Sequence, residues 1–153
     1  MNETGLLMDE VDRVVRTATY RTFVELGRAP SAAEIAEITG QPVAQVEASW
    51  LRLQDAHALV LQPDGSIRMA NPFSAVPTVH RVRAGGRSWF ANCAWDAIGV
   101  CSALHTDGEI DTACPCCAEE ITLAIRATAP SDESLLFHCL VPASAWWDNI
   151  GFT

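Results

Sequence analysis

Long apolar runs are absent: no segment approaches the roughly 18 uninterrupted apolar residues that a membrane-crossing helix needs, so a membrane partner is not expected. Positive charge is scarce. Ten arginines and no lysine face 19 acids, for a formal net charge of −9. The deficit is shared, with 10 acids against 6 arginines in residues 1–70 and 9 against 4 in residues 71–153. Neither half offers the cationic footprint that contact with phosphates requires, so a nucleic-acid partner is not expected either. The first residues, Met-Asn-Glu-Thr-Gly, lack a basic stretch followed by an apolar one. That points away from secretion and to a cytoplasmic protein. No internal repeat or low-complexity tract is visible.

Cysteine, by contrast, is plentiful, with six in 153 residues. Where thiols stay reduced, such usage argues for metal binding or catalysis ahead of a disulfide framework. Five of the six fall within residues 88–117, the stretch around which the rest of the chain is organised. The chain length suits two small cores better than one large one.

The predicted fold class is α+β, with a helical domain over residues 1–70 and a mixed strand and helix domain over 71–153. Apolar residues at helical spacing (Val11, Val14, Val15, Ala18, Phe23, Leu26) predict an amphipathic helix over 9–26 that ends at Gly27. Ser31 and Glu34 form a capping-box pattern that opens a second helix, which stops at Gly40. Val43, Val46, Trp50, Leu51 and Leu53 mark a third, to about Ala56. Strands over 59–62 and 66–69 flank a Pro63-Asp64-Gly65 turn. Three helices and a hairpin form a winged-helix-type arrangement. The third helix, however, carries only Arg52 against Glu47 and Asp55, so this domain is expected to pack rather than to read DNA.

Residues 71–77, with two prolines, read as an apolar linker. A hairpin is expected around Ala84-Gly85-Gly86, then a buried helix over 91–104 with Cys93 in its first turn. Three strands follow over 109–113, 120–128 and 134–141. In the second, Ile121, Leu123 and Ile125 should point inward. Pro142 opens a last short helix through Trp146 and Trp147, and a further element begins at Ile150 and Gly151.

Cys93 and Asp96 are the first chemical candidates. A thiol at a helix N-terminus meets exposed N–H groups and the positive end of the helix dipole, which favour thiolate, and a carboxyl three residues on can reach what the sulfur holds. The bland alternative is a structural helical cysteine. Cys114-Pro-Cys116-Cys117 contains a Cys-x-x-Cys knuckle that, with Cys139 or His138, could supply three of the four ligands of a zinc site. A fourth is not obvious, so structural zinc is not the favoured reading. Cys101 is expected to fill the core. Trp89, Trp95, Trp146 and Trp147 should pack or cover the site, and His57, His80 and His105 are expected to be solvated or in turns.

The runs Pro-Phe-Ser-Ala-Val-Pro-Thr and Trp-Phe-Ala-Asn-Cys-Ala-Trp-Asp-Ala, with a cysteine-bearing turn before Glu-Glu-Ile-Thr-Leu, resemble the organomercurial (alkylmercury) lyase family. The resemblance covers nearly the whole chain and is strongest from residue 71 onward. It implies a winged-helix-type domain before a catalytic domain, protonolysis of carbon–mercury bonds to a hydrocarbon and mercuric ion, Cys93 as the mercury-binding thiol and Asp96 as the carboxylate that handles the proton. It implies a structural role for Cys114. No cofactor is required. The organomercurial is the substrate, and small thiols or a mercuric reductase take the mercuric ion. The family's second catalytic cysteine falls just after a segment like Trp-Trp-Asp-Asn-Ile-Gly-Phe-Thr, where this sequence stops at Thr153. The catalytic domain is therefore expected to be truncated. Its second sulfur would come from Cys114, Cys116, Cys117 or Cys139, with Cys116 and Cys117, which are additional to the family pattern, the first candidates to bind mercury beside Cys93; otherwise mercury is bound without cleavage. The rival reading is a metal-responsive winged-helix regulator sensing a soft metal through Cys114, Cys117 and Cys139.

Overall fold

The computed structural model describes residues 9–139 and 141–150. The chain divides into two compact units between Arg68 and Met69.

The first unit holds three helices and a hairpin. Helix α1 (Glu10–Leu26) ends on Gly27, whose φ of 68° is left-handed and lets its N–H reach the Phe23 carbonyl. Helix α2 (Ala32–Thr39) starts from the expected capping box: the Ser31 hydroxyl accepts the Glu34 N–H while the Glu34 carboxylate accepts the Ser31 N–H. Helix α3 (Val43–Asp55) follows Pro42, and strands β1 (Val60–Leu61) and β2 (Ile67–Ala70) close the unit. Val15, Phe23, Ile35, Val46, Trp50 and Leu53 fill the space between the helices. Val14 and Leu26, both counted in the apolar stripe of α1, are exposed at 39% and 46%.

Polar residues take part in this core too. Trp50 donates its indole N–H to the Thr19 hydroxyl at 3.0 Å. Asp12, which periodicity places among the polar spacers, is buried and accepts Ser49 Oγ at 2.6 Å and a two-pronged contact from Arg52 at 2.7 and 2.8 Å. The guanidinium beside it holds the Asp12 carboxyl below its ordinary range, against the opposing effect of burial. The one cation of α3 is thus committed inside the unit. Asp12→Ala is expected to cost roughly 2 kcal/mol, less than for a wholly buried pair because Arg52 can rehydrate, as read from urea unfolding at neutral pH. Because the folded carboxyl titrates below the unfolded one, the loss should be full above about pH 4 and should shrink as the pH falls through the folded value.

The second unit is an antiparallel sheet with one helix. From the end of β2 the strand order is β2, β3 (Phe73–Ser74), β5 (Arg87–Ala91), β4 (Arg81–Ala84), β6 (Gly108–Ala113), β7 (Glu120–Arg126), β8 (Ala129–Pro130). Residues 71–77 are therefore not a linker, since Phe73 and Ser74 pair with β2 on one side and β5 on the other. The β4–β5 hairpin turns through Gly85 and Gly86 at φ 56° and 76°, positions where both residues must be left-handed. Helix α4 (Ala94–Ala103) packs against β3, β4, β5 and β6. It buries only Ala97, Val100 and Cys101, and Trp95 is 56% exposed, so it is a one-sided helix rather than a fully buried one. Inward residues alternate along the strands, Val82 and Ala84 on β4 and Leu123 and Ile125 on β7, while Ile121 is only half-buried. Phe73 and Trp89 meet with ring centroids 6.0 Å apart.

The strand expected over 134–141 is not formed at 134–139 or at Val141, and Leu140 lies outside the described residues. The sheet instead ends on β8, reached by a turn in which Ala127 and Thr128 both have positive φ. Leu135, Leu136 and Phe137 are all exposed, Leu136 at 93%, so this apolar run marks no buried face. A 3-10 helix spans Ala143–Asp148 after Pro142. The element expected from Ile150 onward falls largely at 151–153, outside the described residues.

Candidate active site

Cys93 sits one position before α4 as its N-cap, rather than within its first turn. The extended backbone there (φ −144°, ψ 177°) turns the sulfur back over the first turn, where it accepts the Asp96 N–H at 3.4 Å. The thiol in turn donates to Asp96 Oδ2 at 3.4 Å. The arrangement is an N-cap with sulfur in place of hydroxyl. Ser31 and Glu34 make the same contacts at α2, N–H to Oγ at 3.2 Å and hydroxyl to carboxylate at 3.0 Å.

Surroundings give the two caps different chemistry. Glu34 lies beside Arg28 at the surface and its carboxyl is pulled down to about 2. Asp96 is half-buried, and burial raises its carboxyl above the ordinary value even though it accepts hydrogen bonds from Cys93. A carboxyl in that state holds a proton more readily. The thiol follows the same trend. Burial, reinforced by the negative charge of Asp96, pushes Cys93 up to about 11, while the N–H groups of Asp96 and Trp95 pull the other way. The helix N-terminus does not produce a resting thiolate here, because desolvation outweighs it. The resting pair is a thiol hydrogen-bonded to a carboxylate, poised to lose its proton when a soft cation arrives at sulfur. Without metal, Cys93 rests as the thiol at neutral pH. Alkylation of Cys93 by iodoacetamide, followed by peptide mass spectrometry, should therefore rise with pH to a midpoint near 11; a midpoint below 9 would contradict this assignment.

The chain on either side of the pair is fixed by neighbouring elements. Asn92 donates from Nδ2 to the Ile150 carbonyl at 3.2 Å, which ties the end of the segment following the 3-10 helix to the loop before Cys93. Trp95 lies against Phe137 with ring centroids 6.0 Å apart. Cys101 is core, as expected: it is 2% exposed, and a methyl group added at Gly108 would lie 2.7 Å from its sulfur and 2.9 Å from the Arg83 carbonyl. Burial raises its thiol as well.

Of the remaining candidates, Cys114 is half-buried at the end of β6, and Cys116 and Cys117 are exposed on the turn after it. Backbone N–H groups of Cys117 and Cys116 and the Cys117 thiol hydrogen-bond to the Cys114 sulfur and lower its titration point. Cys139 is exposed and donates to the Val141 carbonyl. Among the described residues no three Cys, His, Asp or Glu side chains converge as a metal site, so the zinc site sketched from Cys114, Cys117 and Cys139 or His138 is not assembled there. His57 and His105 occupy left-handed turn positions. His80 departs from expectation. It is half-buried, its Nδ1 is 2.7 Å from Thr112 Oγ1, and burial lowers its titration point. No sequence signal joins His80 to Thr112; the register of β4 against β6 does.

The family profile described as alkylmercury lyase matches residues 73–153, slightly more than half of the chain. Among solved structures, the crystal structure of the mercury-bound form of MerB2 is similar to this chain, with 25% identity and a TM-score of 0.65 over 83% of this chain and 61% of that one. The chain thus spans less than two thirds of that protein's length. No curated protein matches.

Proposed function

The chain belongs to the alkylmercury lyase family, and on that premise we propose that it cleaves the carbon–mercury bond of organomercurials by protonolysis. The observation that carries this reading is the contact of Cys93 Sγ with Asp96 Oδ2 on a half-buried helix cap. Mercury is among the softest cations, and thiolate is the softest ligand a protein offers. An organomercurial cation binds at Cys93 as the thiol proton moves to Asp96. A second thiol then joins the metal, and the two sulfurs push electron density toward carbon. The carbon departs with the proton delivered by Asp96. The sum is one organomercury cation and two thiols giving one hydrocarbon, one mercuric dithiolate and one proton. No redox change and no cofactor are needed. Mercuric ion leaves to small thiols or to a mercuric reductase.

In the family the second sulfur follows a segment like 146–153; within residues 1–153 the candidates are Cys114, Cys116, Cys117 and Cys139. The Asn92 contact with Ile150 holds the chain at that residue beside the loop that carries Cys93. The first unit is proposed to be of winged-helix type and to serve packing, because Arg52 is engaged with Asp12 rather than available to phosphate. No helix among the described residues is long and apolar enough to cross a membrane, and the proposed setting is the cytoplasm.

The test is to run phenylmercury cleavage in heavy water with a small thiol and to analyse the benzene by mass spectrometry. Protonolysis predicts benzene carrying one deuterium. Benzene lacking solvent deuterium would rule out proton delivery from an exchangeable thiol or carboxyl.

A further inference from the structure

The Cys114-Pro115-Cys116-Cys117 turn is not needed by the chemistry proposed at Cys93, yet it is built in a specific way. Its ends are closed by the Ala118 N–H to the Cys114 carbonyl at 2.8 Å and by the Cys114 N–H to the Glu119 carbonyl at 2.9 Å. Ala118 takes a positive φ of 58° to complete it. Within the loop, Cys114 and Cys117 stand at the Cys-x-x-Cys spacing with which a knuckle holds a thiophilic cation, and Cys117 is exposed. Two cysteines held on one closed turn at this spacing form a ready bite for a cation that binds thiolates. The chain holds them together without a further loop to order. No third Cys, His, Asp or Glu joins them among the described residues. Zinc in a structural site takes four ligands, so a two-sulfur site favours a soft ion content with two.

Position links the turn to Cys93. Arg81 of β4 lies opposite Phe90 of β5 and opposite Asp111 of β6. The next rung joins Ala91, His80 and Thr112, through the Ala91 N–H to the His80 carbonyl and the Thr112 hydroxyl to the His80 ring. Cys93 and Cys114 each lie two residues beyond that rung, at the same end of the sheet. Strands β5 and β6 are separated only by β4, so their ends are roughly 10 Å apart.

We propose that Cys114 and Cys117 form a second soft-metal site that binds a mercuric ion between two thiolates, on the same sheet edge as Cys93. Binding releases two thiol protons to solvent and forms two sulfur–mercury bonds. Where the mercuric ion comes from Cys93, which rests on the lyase reading, it moves by exchange. Cys114 and Cys117 give up protons as they bond to mercury, and the two departing sulfurs take them up, with mercury unchanged in oxidation state. Cys116 is not the partner, because it lies two residues from Cys114 whereas a Cys-x-x-Cys knuckle places its second sulfur three residues on.

The test uses the reduced full chain carrying Cys93→Ser, incubated with mercuric chloride and excess small monothiol, then gel-filtered and assayed for bound mercury by atomic spectrometry. Two thiols held together outcompete separate ones through their effective concentration. The Cys93→Ser protein should therefore retain mercury, and adding Cys114→Ser or Cys117→Ser should lower its apparent affinity by about a hundredfold or more. Adding Cys116→Ser should not. Cys117 is exposed, so its variant remains informative if Cys114→Ser fails to fold, which a thermal melt reports. Equal retention in all three variants, or loss on Cys116→Ser and not on Cys117→Ser, would overturn the site. If phenylmercury yields no benzene while mercury is still held here, the lyase reading fails and this site stands.

Discussion

Cys93→Ser is expected to reduce phenylmercury cleavage by at least about a thousandfold, the equivalent of about 4 kcal/mol in the barrier. Serine oxygen is a hard ligand and cannot compete for mercury with the thiols in solution. The same substitution should leave the fold intact. Serine is a strong N-cap residue, and Ser31 shows in this chain that a hydroxyl makes both contacts of the box at α2. A melting temperature equal to or above that of the parent protein, together with lost cleavage, would separate the chemical role of the sulfur from its capping role. Cleavage at the parental rate would remove Cys93 from the mechanism.

Asp96→Asn should slow cleavage by about 10²–10⁴-fold, the range for losing a positioned proton carrier, while mercury binding at Cys93 is retained. The amide keeps the side-chain shape, and the Asp96 backbone N–H that reaches Cys93 Sγ is untouched. A second readout distinguishes proton handling from support of the helix. The Asp96 charge and its hydrogen bond both favour the protonated Cys93 thiol, so the alkylation midpoint should fall from about 11 in the variant. It should stay above the usual cysteine value, because burial is the larger cause and remains. Slow cleavage with an unmoved or rising midpoint would mean that Asp96 acts on something other than the Cys93 proton.

Much of the first unit is legible in the sequence because its signals are local. Gly27 and Gly40 are left-handed C-caps where the periodic stretches stop, and Ser31 with Glu34 makes the box its spacing describes. Asp12 was not legible. Its polarity placed it on the solvent side, and only the approach of α1 to α3 brings Ser49 and Arg52 to it. In the second unit, glycine pairs and alternation marked β4, β5 and β7, whereas Phe73 and Ser74 looked like linker because a two-residue strand between prolines carries no period. The expected strand near Leu136 failed for another reason: the apolar run Leu135-Leu136-Phe137 was there, but it stays exposed and outside the sheet.

The candidate site divides along the same line. The Cys93–Asp96 spacing is a local signal, an N-cap pattern written with sulfur, and the contact it implies is made. The state of the thiol was not legible, because a helix N-terminus and burial shift it in opposite directions and sequence reports only the first. The closed loop at Cys114 follows from its local spacing. Its place on the same sheet edge as Cys93 depends on the registers of β4 with β5 and β6, which no spacing along the chain encodes.

The most direct test of the central claim is benzene release from phenylmercury, followed by gas chromatography, with reduced protein, excess small thiol and Cys93→Ser as control. The account predicts benzene in proportion to protein and none above background with the variant. Tight mercury binding without benzene, or benzene formed equally by the variant, would contradict a carbon–mercury lyase centred on Cys93.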